Sequence, residues 1–428
     1  MNAQPPDRAR QFKSGGRGFS AGGGLWTALF AAPFHRVLDR IDAGLEAGAI
    51  EAWLPDGSHR ILGGRKPGPV AEVTMQSWRA LVRLARSGSV GWYKAWEKGE
   101  WESPDPVPLF DLFMRNAAGL GEIGRARGLT RLMNRALHML RHNDRDGARR
   151  NIQYHYDLGN DFYAPWLDET MSYSSALFQE PISGDEELAY AQLNKVRALL
   201  DRLALTPDQE LLEIGCGWGT LAEVAADEYG ATVTGITLSE QQRAYAVAAN
   251  GCNVSAGRVR IDLIDYRDVT GQYDAIASVE MVEAVGQDYW PAYLDAIARL
   301  LKPGGRAAIQ YIQIDDAIFD RYAASADFIQ TYIFPGGMLL SEQRFRALAE
   351  ARGLEWRDRH GFGAHYAETL RRWRERFERA VEAGRLPPGF DKHFIDLWRY
   401  YLMYCEGGFR GGGIDVAQVT LVKGELAE

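Results

Sequence analysis

The spacing of apolar positions predicts a small α+β region in the first third of the chain. Five apolar residues recur at helical intervals near its start: Phe34, Val37, Leu38, Ile41 and Leu45. Two strand-like runs then flank the Asp56-Gly57 turn, which is a strong hairpin signal. Residues 77–101 return to helical periodicity with two glycine interruptions. We therefore expect a flexible tail over 1–23 and an N-terminal α+β domain over 24–120.

From residue 151 onward the pattern alternates between strands and helices. Short apolar runs typical of buried strands occur at 210–214, 231–236, 259–264, 273–279, 306–312, 354–360 and 414–423. Helical segments separate the earlier runs, and such alternation is typical of a parallel sheet with helices on both faces. The pattern predicts an α/β domain over 151–428.

Residues 121–150 differ from both regions. They hold eight arginines against three acids, and apolar residues from Leu129 to Leu140 share one helical face. A basic amphipathic linker helix of this kind is typical of a membrane-surface anchor. Taken alone, the segment is better interpreted as a helix between domains that packs its apolar face on protein and leaves its arginines solvated.

The charge and cysteine content of the chain argue against several classes of function. Lysine and arginine total 49 against 57 acids, so the net charge of −8 offers no general attraction to nucleic acid. Three scattered cysteines form neither a disulfide framework nor a zinc pattern, and we predict no metal. An apolar run of about ten residues near the N-terminus vaguely resembles a signal peptide but is too short to span a membrane. An amphipathic helix fits this run better.

The stretch "LLEIGCGWG" is the main chemical signal. Gly215, Gly217 and Gly219 follow a predicted strand and precede a helix, so the backbone can turn sharply and approach a ligand closely. The GxGxG spacing and Glu213, two residues before the first glycine, favour a cationic ligand over a diphosphate. Together with "LLKPGGR" at 300–306, they favour S-adenosylmethionine. The second strand ends in Thr237 and Ser239, where methyltransferases usually place an acid.

A series of motifs over about 151–410 then resembles the cyclopropane-fatty-acyl-phospholipid synthase family, which includes the mycolic acid cyclopropane synthases. The motifs are "HYDLGNDFYAPWLDETMSYSSALF" (155–178), "LLEIGCGWG", "GITLSEQQ" (235–242), "DYRDV", "SVEMVEAVG" (278–286), "YIFPGG", "GFGAHYAETL" (361–370) and "YYLMYCEGGFR". The N-terminal region looks like the additional domain of the phospholipid-acting members. The resemblance implies the seven-stranded Rossmann-like methyltransferase sheet, in agreement with the strand count.

The resemblance also implies a cofactor site and a reaction. The residues that would contact S-adenosylmethionine are Tyr173, Ser174, Glu213, Gly215, Gly217, Gly219, Thr237, Leu238, Ser239, Gln242, Asp265 and Tyr266. In the family, the methyl group is transferred to a cis double bond of a phospholipid acyl chain, and loss of a proton closes a cyclopropane ring. Membrane phospholipids would be the partner, and a cytoplasmic protein would reach them at the inner face of the membrane. The protein could also form a homodimer. With a lipid substrate, the 121–150 segment is better interpreted as a docking helix.

In the family a bound bicarbonate takes the proton. The positions that match its ligands are Cys216, Glu283, Gln310, Ile312 and Tyr366. Two positions depart from the family: Gln310 replaces a histidine, and Ala284 follows Glu283 where a histidine is usual. Glutamine can hydrogen-bond an anion but cannot become cationic. The product could accordingly be a cyclopropane, or a methyl- or methylene-branched chain without a ring.

The cationic intermediate would require an apolar pocket with aromatic faces. The candidates are Tyr154, Tyr156, Phe162, Phe178, Tyr311, Phe328 and Tyr332, each of which could instead be core. Three rival functions stay open: a methyltransferase for a soluble molecule, a lipid-binding protein with a degenerate site, and a dinucleotide-dependent oxidoreductase.

Overall fold

The computed structural model describes residues 25–121 and 158–424, with side chains from residue 31. The strands are β1 (Ala47–Trp53), β2 (His59–Gly63), β3 (Lys66–Met75), β4 (Trp101–Glu102), β5 (Glu210–Ile214), β6 (Thr232–Thr237), β7 (Val259–Leu263), β8 (Tyr273–Val279), β9 (Leu301–Ile314), β10 (Leu354–Gly361) and β11 (Ile414–Lys423).

The α-helices, in chain order, are α1 (Leu25–Gly44), α2 (Arg79–Glu97), α3 (Val107–Arg115), α4 (Ala117–Leu120), α5 (Asn160–Tyr163), α6 (Leu188–Asp201), α7 (Thr220–Tyr229), α8 (Glu240–Ala249), α9 (Gly251–Ser255), α10 (Trp290–Leu300), α11 (Asp316–Ala323), α12 (Phe328–Tyr332), α13 (Glu342–Glu350), α14 (Gly363–Glu382) and α15 (Lys392–Arg410).

The described residues divide into two compact units. The first contains 25–121, 320–331 and 391–413, and the second contains 158–319, 332–390 and 414–424. The predicted tail over 1–23 and most of the basic segment over 121–150 lie outside the described residues. Within the described residues, no helix is long and apolar enough to cross a membrane.

The first unit is built around a four-stranded sheet in the order β2-β1-β3-β4. The predicted hairpin is present, with β1 and β2 antiparallel on either side of the Asp56-Gly57 turn. Helix α2 contains the predicted glycine interruption at Gly88, where the backbone adopts a φ of 58°. Helix α15 packs closely on α3, because a Cβ at Gly407 would lie only 2.4 Å from the Cβ of Phe110.

The second unit contains a seven-stranded sheet in the order β10-β11-β9-β8-β5-β6-β7. All seven predicted strands are present. Their starts agree within one residue except for β9, which begins at Leu301 because that residue already pairs with Tyr273 of β8; after an irregularity the pairing resumes at Arg306. Strands β5 to β9 are mutually parallel, and β11 is antiparallel to both β9 and β10.

The sheet determines where the polar loops meet. Parallel strands β5, β6 and β8 end at the same edge, so the segments after Ile214, Thr237 and Val279 lie together there. The strand interiors are buried and mostly apolar, which explains their apolar runs, and a few buried polar residues such as Glu213 and Gln418 interrupt them. Polar residues at this edge are therefore placed by a rigid scaffold.

Candidate active site

The three glycines of the loop after β5 have different structural roles. All have positive φ angles, of 83°, 51° and 94°. A Cβ at Gly215 would meet the Met281 side chain at 2.9 Å, and one at Gly219 would meet Asn250 and Ala246 at under 3 Å. A Cβ at Gly217 would meet nothing within 4 Å. Gly217 is thus the point where the loop leaves room for a ligand.

Glu213 is a buried carboxylate without a complete set of partners. The residue is 4% exposed, and its Oε2 has no hydrogen-bond partner among the described residues. Burial raises the pKa of Glu213 to about 8, although the charge of Lys195 opposes this shift. An incompletely paired acid beside an open glycine loop fits a ligand that brings a positive charge. S-adenosylmethionine brings both an ammonium and a sulfonium.

Lys195 is a second buried charge at this site. It lies on α6, is 2% exposed, and donates from Nζ to Ser174 Oγ at 2.6 Å. Burial lowers the pKa of Lys195 to about 8, and the charges of Glu280, Asp168 and Glu213 raise it in opposition. The predicted cofactor residue Ser174 is therefore held in place by a lysine that several buried acids surround.

The end of β6 forms the other side of the candidate cofactor site. Thr237 Oγ1 donates to Gln242 Oε1 at 2.9 Å and accepts from the Ser239 N–H at 3.1 Å. Ser239 caps α8 by accepting from the Gln242 N–H at 3.3 Å. Leu238 between them is half-buried. These predicted residues are brought together around one helix N-terminus.

Asp265 and Tyr266 follow β7. The Asp265 carboxylate accepts from the Arg267 side chain at 2.8 and 2.6 Å and from its backbone N–H at 2.9 Å. The Arg267 guanidinium lies 5.5 Å from the centre of the buried Tyr266 ring. Contacts with Arg267 thus fix both side chains in position after β7, where the adenine side of the cofactor site is predicted.

Two of the five residues expected to hold bicarbonate, Gln310 and Tyr366, converge instead on the carboxylate of Glu280. Gln310 Nε2 donates to Glu280 Oε1 at 2.8 Å, and the Tyr366 hydroxyl donates to Oε2 at 2.7 Å. The Ser175 N–H adds a third bond, to Oε1 at 2.9 Å. Burial raises the pKa of Glu280, while these three donors and the charge of Lys195 oppose the rise. An anion of the protein thus occupies the centre of the predicted cage.

The orientation of the Gln310 amide is fixed by its partner on β11. Gln418 stands opposite Gln310 in the antiparallel pair, and its Nε2 donates to Gln310 Oε1 at 3.0 Å. Arg202 in turn donates to Gln418 Oε1 at 3.1 Å. The Nε2 group of Gln310 must then face Glu280, so Gln310 acts there only as a donor.

The other predicted anion ligands are also occupied. Glu283 Oε1 accepts a short hydrogen bond from the Ile312 N–H, and its Oε2 has no partner among the described residues. Burial, followed by the charge of Glu280, raises the pKa of Glu283 to about 8. The backbone N–H of Cys216 donates to Ile236 O at 2.9 Å and its carbonyl accepts from the Gly219 N–H. Cys216 is thus tied into the loop rather than into the Glu280 cluster.

An aromatic cluster lies between the cofactor residues and Tyr366. Tyr163 packs 5.3 Å from Trp218 of the glycine loop and 5.4 Å from Tyr173. Tyr173 is 5.3 Å from Trp373, which is 6.1 Å from Tyr366, all measured between ring centres. Electron-rich faces at such positions are suited to stabilising a cation.

Several aromatic candidates from the sequence lie elsewhere. Phe328 belongs to the first unit and packs against Tyr93 and Tyr400. Tyr311 points away from Gln310 and donates to Glu342. Phe178 stacks on His365, and Phe162 packs into the cluster at Trp166. Tyr332 is half-buried, and Tyr154 and Tyr156 lie outside the described residues.

Sequence reasoning missed Glu280, Lys195, Gln418 and Trp373. Glu280 carried a usable signal, because it is an acid directly after a buried strand and three residues before Glu283. Lys195 carried one too, since it lies on the buried stripe of α6 with Ala191, Leu188 and Leu199. Gln418 and Trp373 gave no signal, because their role depends on strand register and helix packing.

Comparisons with known proteins show the family to which the chain belongs. A family profile described as "Mycolic acid cyclopropane synthetase" matches residues 143–419. The chain is 41% identical over 360 residues to the tuberculostearic acid methyltransferase of Mycobacterium tuberculosis, covering 80% of each protein. It is 32% identical over 369 residues to the cyclopropane-fatty-acyl-phospholipid synthase of Escherichia coli, covering 83% of this chain and 88% of that protein.

Solved structures confirm the fold that was predicted. The mycolic acid cyclopropane synthase CmaA1 of that family, solved in complex with SAH and CTAB, superposes with a TM-score of 0.59 at 30% identity. The match covers 64% of this chain and 98% of that one. The cyclopropane synthase MmaA2 from Mycobacterium tuberculosis gives the same TM-score at 29% identity.

Proposed function

The chain belongs to the mycolic acid cyclopropane synthetase family of S-adenosylmethionine-dependent methyltransferases, and on that premise we propose that it methylates a cis double bond in a phospholipid-borne acyl chain. We propose further that the product is a branched chain that retains an unsaturation, either methylene-branched or methyl-branched. The Mycobacterium tuberculosis methyltransferase and the Escherichia coli synthase, to which the chain is similar, are both named for the modification of lipids.

The observation that carries the proposal is that two carboxylates able to accept a proton, Glu280 and Glu283, lie together among the candidate site residues. An alkene attacks a methyl group with its own π electrons and needs no prior deprotonation. Cys216 is unsuited to a covalent role, because burial and the charge of Glu213 raise the pKa of its thiol. The site is instead equipped to receive a proton after methylation.

The site residues divide into a group that would bind the cofactor and a group that would handle the proton. When bound, S-adenosylmethionine supplies the methyl group as an electrophile. Glu213, the Gly217 backbone and the Thr237–Gln242 pair would hold and orient it. The fully buried Trp373 and Tyr163 exclude water, and the half-buried Tyr173 is the ring of the aromatic cluster that could face the developing positive charge. Glu280 and Glu283 supply acceptor oxygens close by.

The branched product is favoured by the departure at Gln310. The Gln310 amide is held as a hydrogen-bond donor, so it cannot take up the proton that the acyl chain loses, as a histidine could. The groups that accept this proton therefore differ from those expected for ring closure. The 41% identical relative, named as a methyltransferase, is consistent with this outcome.

Ring closure to a cyclopropane is the second candidate. It is favoured by the likeness to the Escherichia coli synthase, which covers 83% of this chain and therefore extends into the N-terminal region. Methylation and proton loss are common to both outcomes, and they differ in which bond the released electron pair forms.

Lipid analysis distinguishes the candidates. A host expressing the protein is fed a methyl donor labelled with three deuteriums, and its phospholipid acyl chains are compared with those of a host carrying an empty vector. Both products gain one carbon. A branched alkene takes up hydrogen under mild catalytic reduction, whereas a cyclopropane resists it, and three retained deuteriums identify a methyl-branched alkene.

Acyl chains that gain no carbon would contradict both candidates. Methylation of a soluble amine, thiol or hydroxyl by the purified protein without lipid would then favour the small-molecule alternative.

A further inference from the structure

We propose that Glu280 is the base of this reaction and that its carboxylate replaces the bicarbonate which the family resemblance implies. The inference rests on the proposed function, because it assigns a residue to the proton-loss step of that reaction. It concerns the protein's own chain and requires no bound anion.

The first argument is that the donors of the expected cage are already used. Gln310 and Tyr366 each give their hydrogen bond to Glu280, at 2.8 and 2.7 Å, and the Ile312 N–H gives its bond to Glu283. A bicarbonate at this place would have to displace one carboxylate and sit against the other. Like charges in so small a space oppose each other strongly.

The second argument is that the surroundings aim the Glu280 carboxylate and partly offset the rise in its pKa that burial causes. Three donors converge on its two oxygens, and the buried ammonium of Lys195 is close enough to favour its charge. None of the three donors is itself a base at this place: two are amides and Tyr366 donates its proton to Glu280. The carboxylate of Glu280 is therefore the acceptor they jointly present.

The step balances in atoms and electrons. After methylation the acyl chain carries a carbocation. For a branched alkene, a C–H bond on a carbon next to the cationic carbon breaks and its electron pair forms the C=C bond; a methylene branch requires a 1,2-hydride shift first, so that the cationic carbon is the one that bears the methyl group. For a ring, a C–H bond of the transferred methyl group breaks and its electron pair forms a C–C bond to the cationic carbon one carbon further along. In each case the proton forms an O–H bond with Glu280. Glu280 ends as a neutral carboxylic acid, which returns its proton to solvent before the next turnover.

The backbone at Glu280 makes a clean test available. Its φ is 47°, in the left-handed region that glycine tolerates and other residues rarely adopt. Glu280→Gly should therefore fold without added backbone strain. It would leave a cavity lined by the same donors from Gln310, Tyr366 and Ser175, which is the arrangement expected to bind a small anion.

The test compares the wild type with Glu280→Gly and Glu280→Gln in buffer stripped of bicarbonate. Turnover on phospholipid vesicles with unsaturated chains is measured with labelled S-adenosylmethionine. We expect the wild type to be unaffected by bicarbonate. Both variants should lose about 100-fold or more in turnover, the usual contribution of a positioned base. Bicarbonate or formate should restore Glu280→Gly in a concentration-dependent way but not Glu280→Gln, whose amide fills the cavity.

A readout without turnover accompanies the assay. Calorimetric titration with bicarbonate in the presence of S-adenosylhomocysteine should show binding to Glu280→Gly and none to the wild type. Glu228→Gln, an exposed acid paired with Arg197, serves as the matched control and should behave as the wild type in both measurements.

Three results would overturn the inference: wild-type turnover that requires bicarbonate, near-wild-type turnover of Glu280→Gln, or a folded Glu280→Gly that neither anion rescues. A different combination of results would overturn only the proposed function: the wild type neither modifies lipid nor binds bicarbonate, and Glu280→Gly binds bicarbonate. Glu280 would then still be the anion that takes the place of bicarbonate.

Discussion

At the scale of single residues, the site depends on small differences between chemically similar positions. Gly215 and Gly219 are glycines because a side chain would collide with the protein, whereas Gly217 faces open space. Glu280 and Glu283 lie three residues apart, yet Glu280 accepts from Gln310 and Tyr366 while Glu283 accepts from the Ile312 backbone. Residue type alone does not reveal which member of each set meets a ligand.

Gly217→Ala should separate ligand binding from stability. Its φ of 51° costs alanine about 1–2 kcal/mol in free energy of unfolding. Because the new Cβ would occupy the space left for the ligand, affinity for S-adenosylmethionine should also fall about tenfold or more. Urea unfolding and calorimetric titration measure the two effects.

Gly384→Ala is the matched control. Gly384 has a φ of 62° and likewise nothing within 4 Å of an added Cβ, but it follows α14 away from the loop. It should show a similar loss of stability with unchanged affinity. Equal affinities of the two variants would contradict the placement of the ligand at Gly217.

At the scale of elements, the register of β9 with β11 sets the chemistry of the cage. Gln418 stands opposite Gln310, and the next side chain on the same face of β11 is Thr420. Both are almost fully buried. A shift of one residue in this pairing would turn the amide away from Glu280.

Gln418→Met should lower turnover while leaving the affinity for S-adenosylmethionine unchanged. Loss of its hydrogen bonds frees the Gln310 amide to rotate and leaves buried polar groups unpaired, which should cost about 1–3 kcal/mol in stability. Steady-state kinetics and titration with S-adenosylmethionine measure the outcome.

Thr420→Val provides the control on the same strand. The Thr420 hydroxyl has no partner among the described residues, so its removal should leave stability unchanged or raise it by up to about 1 kcal/mol. Turnover of this variant should match the wild type. If both variants lose turnover equally, β11 contributes only packing.

The elements themselves could largely be predicted from the sequence. Buried parallel strands show as apolar runs, so the pattern located all seven strands of the large sheet; only the start of β9 was wrong, by five residues. The convergence of Tyr366 and Gln310 on one point was predicted, but only from the resemblance. The residue at which they converge, Glu280, could not be predicted, because its position depends on side-chain directions at a strand end where the backbone is left-handed.

At the scale of the whole molecule, the chain returns to its first unit twice after leaving it. Residues 320–331 and 391–413 belong to that unit, and no periodicity in the sequence indicates this. Within the unit, Phe328 and Tyr400 form a shared aromatic core with Tyr93. Such long-range pairings arise from packing alone, which local patterns do not record.

The buried acids should give the cofactor-free protein a stability that depends on pH. The pKa values of Glu213 and Glu283 are each raised to about 8, from an ordinary value of 4.5. Between these values the folded state holds more protons, so the free energy of unfolding should fall as the pH rises from about 5 to about 8. The pKa of Lys195 is lowered from 10.5 to about 8, so this residue makes the free energy of unfolding increase with pH only above about pH 8.

Thermal unfolding at several pH values measures this dependence. A Glu213→Gln, Glu283→Gln double variant should show a flatter curve below pH 8, because neither amide titrates. Glu228→Gln, with an exposed acid removed, should follow the wild type. Parallel curves for the double variant and the wild type would contradict the raised pKa values.

The left-handed backbone at Glu280 has a consequence for how this lineage can change. Glutamate and glycine codons differ by one base, and the main chain at this position already suits glycine. A single mutation could thus convert an enzyme whose proton acceptor is one of its own side chains into one that must bind an acceptor formed from dissolved carbon dioxide, or the reverse, without disturbing the fold.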